Sequence, residues 1–149
     1  MKTVTKKEEK VRDRMSSSVI SVTSDDTLKT AMDLLARKKI RELPVIEKSR
    51  LVGIVTDRDL REIAPSYPLF RDSQEIHQHL KRLKVANAMT VDPLVIDPEA
   101  PLVSAAEILL RYQIGSLPVV ENQRVVGIVS VSDILKAYIE QNRRGQKKA

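Results

Sequence analysis

The sequence predicts an α/β (α+β) fold made of two pseudo-symmetric β-α-β-β-α units. Three observations carry that prediction: a gapless internal repeat, a shared order of strand-like and helix-like segments, and a composition poor in aromatics. Shifting the 149-residue chain on itself by 74 positions aligns residues 11–60 with 85–134. Leu43-Pro44-Val45 returns as Leu117-Pro118-Val119, and Val52-Gly53-Ile54-Val55 returns as Val126-Gly127-Ile128-Val129. Two copies are too few for an open solenoid, so a pair sealing a common core is the expected solution. Aromatics make up 3% of the chain, with no Trp and one Phe, so the core must be aliphatic. Residues rich in Val and Ile suit strands covered by helices.

Each element follows from local pattern. A short segment ending in Met15, or Met89, leads into an apolar strand at Val19–Val22, or Leu94–Ile96. Ser24-Asp25-Asp26 and Asp97-Pro98-Glu99 are helix-start signals, offering side-chain oxygens, acidic charge and an early proline. Leu28, Ala31, Met32 and Leu35 follow at helical spacing, as do Leu102, Ala105, Ala106 and Leu109. The Leu-Pro-Val strand comes next. Pro44 and Pro118 cannot donate to a ladder, which places them at a strand edge or a bulge. Glu47-Lys48-Ser49-Arg50 and Glu121-Asn122-Gln123-Arg124 read as hairpin turns, and each unit closes with a helix near Asp57 or Val131. Between the units, Pro65-Ser66-Tyr67-Pro68 breaks the chain and Ser73 to Leu83 reads as an amphipathic helix covering one edge. The expected organisation is a basic tail (1–10), a first unit (11–64), a helical connector (65–84), a second unit (85–140) and a second basic tail (141–149).

The net charge of +6 resides wholly in residues 1–10 and 141–149, leaving 11–140 neutral. That body lacks the electrostatic footprint of a nucleic-acid binder. Lys38, Lys39 and Arg41 cluster without interleaved aromatics for base stacking. With no Cys, disulfides and thiolate metal sites are excluded. The N-terminal residues show no secretory apolar region and no stretch reads as a membrane span, so a cytoplasmic setting is expected. His77 and His79 lie two apart on the connector helix and point in different directions, so a shared metal is not expected. No catalytic constellation stands out, and no cofactor is expected to be required.

The chemistry-bearing pattern is Gly53-Ile54-Val55-Thr56-Asp57-Arg58-Asp59 and its echo Gly127-Ile128-Val129-Ser130-Val131-Ser132-Asp133. A hydroxyl followed three residues later by an acid is a capping box, and capping alone explains both copies. The same geometry can also present donors to an anion or ribose oxygen and a carboxylate to vicinal hydroxyls. Glycine ahead of the turn lets a ligand approach the backbone.

Taken with the opening segment and the string Ile40-Arg41-Glu42-Leu43-Pro44-Val45, residues 11–140 resemble a tandem cystathionine β-synthase (CBS) domain pair, or Bateman module. They are similar to its stand-alone bacterial branch, which includes acetoin-utilisation regulators. The resemblance implies two units packed through their small sheets, a homodimer, and clefts that bind an adenosine nucleotide such as AMP, ADP, ATP or S-adenosylmethionine as regulatory ligand. It places Asp59 and Asp133 on ribose hydroxyls, Thr56 and Ser130 on ribose or phosphate, and Ile54 and Ile128 beside the base. Thr56 and Asp59 are expected to face Asp92-Pro93-Leu94, and Ser130 and Asp133 to face Ser18-Val19-Ile20. Arg41 falls where some members hold a phosphate ligand, with Arg58 next to it, whereas the equivalents Gly115 and Ser132 are uncharged. The clearer anion site is therefore expected on the first motif. Such a sensor needs an effector protein. Two other classes compete: a constitutive dimerisation or partner-docking module whose motifs only cap helices, and a nucleic-acid binder acting through the basic ends.

Overall fold

The computed structural model describes residues 7–63 and 73–146, which divide into two compact units. One comprises Ile20–Pro93 with Gln123–Val125; the other comprises the N-terminal segment to Val19, Leu94–Asn122 and Val126 onward. In chain order the elements are α1 (Leu28–Lys38), β1 (Glu42–Glu47), β2 (Arg50–Thr56), α2 (Asp57–Ile63) and α3 (Ser73–Arg82), then β3 (Thr90–Val91), α4 (Leu102–Tyr112), β4 (Ser116–Glu121), β5 (Arg124–Ser130) and α5 (Val131–Gln146). α1, β1, β2 and α2 start 74 positions before α4, β4, β5 and α5, so the sequence period is also the structural period.

In the unit built on the first repeat, β1 pairs antiparallel with β2, and the register shifts between Val45 and Ile46. Pro44 sits one residue before that bulge, as its missing N–H requires. The β1–β2 turn places Lys48 at φ 48° and Ser49 at φ 69°, two successive left-handed residues that match strand twist. Asn122 and Gln123 do the same in the second hairpin, again without glycine. α1 ends on Lys39 at φ 54°, whose N–H bonds the carbonyls of Leu35 and Ala36. Ile40 follows and packs on the core, the hydrophobic contact that accompanies such a cap. The core is aliphatic: Leu28, Leu43, Val45, Val55, Leu80 and Val85 are fully buried. The other unit repeats it with Val11, Leu117, Val119 and Val129.

Two expectations change. Val19–Val22 and Leu94–Ile96 are not strands. Only Val22 and Ile96 make parallel bridges, to Val45 and Val119. The Val22 N–H donates to the Pro44 carbonyl and the Ile46 N–H to Val22, so the first segment touches β1 beside its bulge; Ile96 makes the matching pair of bonds with Pro118 and Val120 of β4. Helix starts also fall later than the acidic signals. Thr27 caps α1 by accepting from the Thr30 N–H, while Ser24 bonds Glu47 and Asp26 accepts from the Thr23 N–H in the preceding turn. α4 begins at Leu102 behind Pro101, so Pro98 lies before the helix rather than in its first turn.

The connector helix α3 forms as expected and packs on the helical side of its unit, with Leu80 fully buried among Leu28, Leu35 and Leu60. The expected Pro65–Pro68 break lies outside the described residues. At the C-terminal end, α5 carries regular helix through Gln146, into the basic stretch.

An arm opens each repeat. Val11–Asp13 and Val85–Asn87 each form one 3-10 turn, and each arm joins the unit built on the opposite repeat. The Val11 N–H donates to Ala100, Arg12 to Pro98, and Leu102 to Glu9. In the other unit Val85 donates to Asp26, Ala86 to Ser24, and Leu28 to Leu83.

Candidate functional site

β2 delivers Thr56 to the point where α2 begins, and the reciprocal capping box forms. The Thr56 N–H donates to Asp59 Oδ2 at 2.9 Å, and the Asp59 N–H donates to Thr56 Oγ1 at 3.1 Å. The second copy matches it: Ser130 N–H to Asp133 Oδ2 at 2.8 Å, and Asp133 N–H to Ser130 Oγ at 3.3 Å. There the Ser130 hydroxyl also donates to Asp133 Oδ2 at 3.0 Å. An ionised carboxylate has acceptor positions beyond those a cap uses, so capping and ligand binding are compatible at both aspartates.

The residue ahead of β1 is tied to the same junction. The Asp57 N–H donates to the Arg41 carbonyl at 2.9 Å, which brings the exposed Arg41 beside the start of α2. Arg58 projects from the first turn with its side chain 80% exposed, 3.5 Å from Glu62. In the second copy the Val131 N–H donates to Gly115 at 3.0 Å, so the backbone link persists while the charge is lost. Ser132 replaces Arg58 and is exposed.

The arms complete each junction. β3 pairs antiparallel with β2, with Val91 opposite Gly53 and Thr90 opposite Ile54. Asp92, at φ 48°, and the half-buried Pro93 continue this unit's arm toward the start of β2, while Leu94 opens the stretch assigned to the other unit. Ser16 and Ile128 exchange both backbone bonds, at 2.8 and 2.9 Å. Ser18 and Val19 follow in the same unit, whereas Ile20 belongs to the unit of the first repeat and packs on its core. Nearest the motif glycines, therefore, are Thr90 and Ser16, which the sequence reading did not single out. Their signal was present: a hydroxyl after Met15 and after Met89.

The glycines are required by closeness. A Cβ on Gly53 would lie 2.8 Å from the Thr90 carbonyl oxygen and 2.9 Å from Met89 Sδ. On Gly127 it would lie 2.8 Å from the Ser16 oxygen and 2.7 Å from Met15 Sδ. Neither glycine has positive φ, so the constraint is space for the arm.

Charge on the N-terminal arm is internally matched. Arg14 bonds Glu9 at 2.7 Å and Glu140 at 2.7 Å, which holds the Glu140 carboxyl below its ordinary range. Lys10 and Arg12 both pair with Glu99. Among the described residues, no group of three or more His, Cys, Asp or Glu is placed to hold a metal ion. No described helix is long and apolar enough to cross a membrane.

A protein-family model described as the CBS domain matches residues 11–66 and again 85–140. A CBS domain-containing protein of Dictyostelium discoideum is 34% identical over 132 residues, covering 87% of this chain and 91% of the relative. Other relatives are longer: the chain spans 25% of an inosine-5'-monophosphate dehydrogenase of Aquifex aeolicus, at 34% identity over 86% of this chain. Among solved structures, a Vibrio cholerae protein named for acetoin utilization (AcuB) superposes with a TM-score of 0.77 and 27% identity, covering 94% of this chain and 97% of that one. The plant protein CBSX2, of Arabidopsis thaliana, in complex with AMP gives a TM-score of 0.73 at 28% identity, covering 88% and 97%. The CBS domain pair of protein MJ0100, bound to 5'-methylthioadenosine and S-adenosyl-L-methionine, gives 0.72 at 26%, covering 90% and 98%.

Proposed function

The chain belongs to the CBS domain family as a tandem pair, and from that premise we propose that it is a non-catalytic regulatory module that binds an adenosine ligand at its two strand–helix junctions. One observation carries the reading: the same hydroxyl–carboxylate box stands at both junctions, at the end of a strand whose glycine has no room for a Cβ beneath the arm's backbone carbonyl. Asp59 and Asp133 would accept from ribose hydroxyls, with Ile54 and Ile128 against the base and the Thr56 and Ser130 hydroxyls in contact with ribose or phosphate. Related structures binding AMP, 5'-methylthioadenosine and S-adenosyl-L-methionine support the ligand class. A ligand that prefers one conformation shifts the population by its differential affinity, and that shift is the signal passed to an effector.

The two sites differ in charge. Arg41 and Arg58 flank the first motif, where Gly115 and Ser132 flank the second, so the first suits a phosphorylated ligand and the second an uncharged 5' group. Calorimetry with AMP, ATP, 5'-methylthioadenosine and S-adenosylmethionine tests this. Arg41→Ala should weaken AMP by about tenfold, the value of one lost charge-assisted contact, and leave 5'-methylthioadenosine unchanged. No heat from well-folded protein with any of the four would refute nucleotide sensing. The capping boxes themselves favour a second reading, a constitutive docking module, in which Asp59→Ala lowers stability and changes nothing else.

A further inference from the structure

We propose that Arg50 and Arg124 form a clamp for a dianionic phosphoryl group, free or as a monoester, apart from both strand–helix junctions. The two residues are equivalent in the 74-residue repeat, and β2 meets β5 through this one pair, in antiparallel register. Gln123–Val125 belongs to the same unit as Ile20–Pro93, so the pair lies within one unit. The Val125 N–H donates to the Ser49 carbonyl at 3.4 Å, which makes Arg50 and Arg124 a non-hydrogen-bonded pair. In such a pair the Cα atoms come within about 4.5 Å and both side chains rise from one face. Like charges directly opposite destabilise a sheet, so the arrangement calls for an anion.

The carboxylates that could supply one are engaged elsewhere. Both hairpins have the form Glu-x-x-Arg, and the register sets Glu47 opposite Arg50, yet no ion pair forms there among the described residues. Glu47 instead accepts from the Ser24 hydroxyl at 2.5 Å and from the Ser24 N–H at 2.9 Å, which holds its carboxyl below the ordinary range. Asp25, beside Glu47, pairs with Lys84 at 3.0 Å. Glu121, the equivalent of Glu47, lies 3.7 Å from Arg12. Among the described residues, neither the Arg50 nor the Arg124 side chain has a partner, and both are exposed, as is Lys48 on the adjoining turn. Planar guanidinium forks on one face match phosphoryl oxygens, each fork donating two parallel N–H···O bonds. A carboxylate brings one charge, whereas a phosphoryl group brings nearly two and can offset both arginines.

The test needs no nucleotide. In 1H–15N spectra of the full chain, the Arg50 and Arg124 Nε–H signals are followed as inorganic phosphate or O-phosphoserine is raised to about 50 mM at constant ionic strength and about pH 7.5. Both signals should shift together and saturate. Arg124→Gln should weaken the Arg50 response at least about tenfold, the value of one charge-assisted contact. Tighter binding of phosphate identifies the free ion as occupant, and tighter binding of phosphoserine identifies the ester. Saturation by neither, indifference to Arg124→Gln, or shifts confined to Arg41 at the first junction would overturn the clamp. In about 20 mM salt without phosphate, Arg124→Gln should melt no lower than wild type, because it relieves the repulsion. A lower melt would also overturn the proposal, since the pair would then be stabilising as it stands.

Discussion

Gly127→Ala is the sharpest perturbation of the junctions. The new Cβ would stand 2.8 Å from the Ser16 carbonyl oxygen and 2.7 Å from Met15 Sδ. A methionine side chain can swing aside, but the Ser16 backbone is held by its two bonds to Ile128, so the arm must lift. Overpacking of this kind costs about 1–3 kcal/mol. Losing the reciprocal pair adds about 0.5–1.5 kcal/mol per bond. A total near 3 kcal/mol corresponds to a drop in melting temperature of about 6–12 °C for a chain of this size. Differential scanning calorimetry reads it, with two controls. Gly145→Ala, which meets nothing within 4 Å, should be neutral or stabilising by up to about 1 kcal/mol. Adding Met15→Ala to Gly127→Ala should recover only part of the loss, because the carbonyl oxygen remains. A Gly127→Ala melt within about 1 °C of wild type, or full rescue by Met15→Ala, would refute the backbone-clash account.

Other expectations follow from single contacts. Asp59→Ala removes the acceptor of the Thr56 N–H and should cost about 0.5–2 kcal/mol in urea denaturation, together with the response to AMP. Leu80→Ala empties a fully buried site between α3 and the first repeat and should cost about 2–5 kcal/mol; a smaller loss would mean that α3 does not seal its unit. Arg14 lowers the Glu140 carboxyl, chiefly through its hydrogen bond, so this pairing stabilises fully above the ordinary carboxylate pKa of about 4.3 and is lost as pH falls through the lower folded value. Arg14→Gln should therefore lose less of its urea midpoint than wild type between about pH 6 and pH 3. Parallel losses would show that the pair contributes nothing.

The 74-residue period, the hairpins, the paired capping boxes and the aliphatic core were all legible because each rests on local spacing that one sequence displays. Helix starts were less so. Ser24 and Asp26 look like caps, but a carboxylate at Glu47 and the Thr23 N–H compete for them, and Thr27 takes the role. Thr90 and Ser16 escaped notice because their importance depends on register against β2 and β5, which no local pattern encodes. The same limit hid which repeat each arm joins.

The placement of the arms separates what was copied from what folds. The inherited unit begins at the arm, near residue 11 or 85, yet the continuous stretch holding nearly all of one unit is Ile20–Pro93, out of phase with the duplication. Half of this gene, expressed alone, would carry an arm without a seat and a glycine seat without an arm. Two such halves could satisfy each other only by trading arms, so an ancestor with a single copy would have been complete only as a pair of molecules. Within one chain that exchange is internal, and the two copies can differ in sequence.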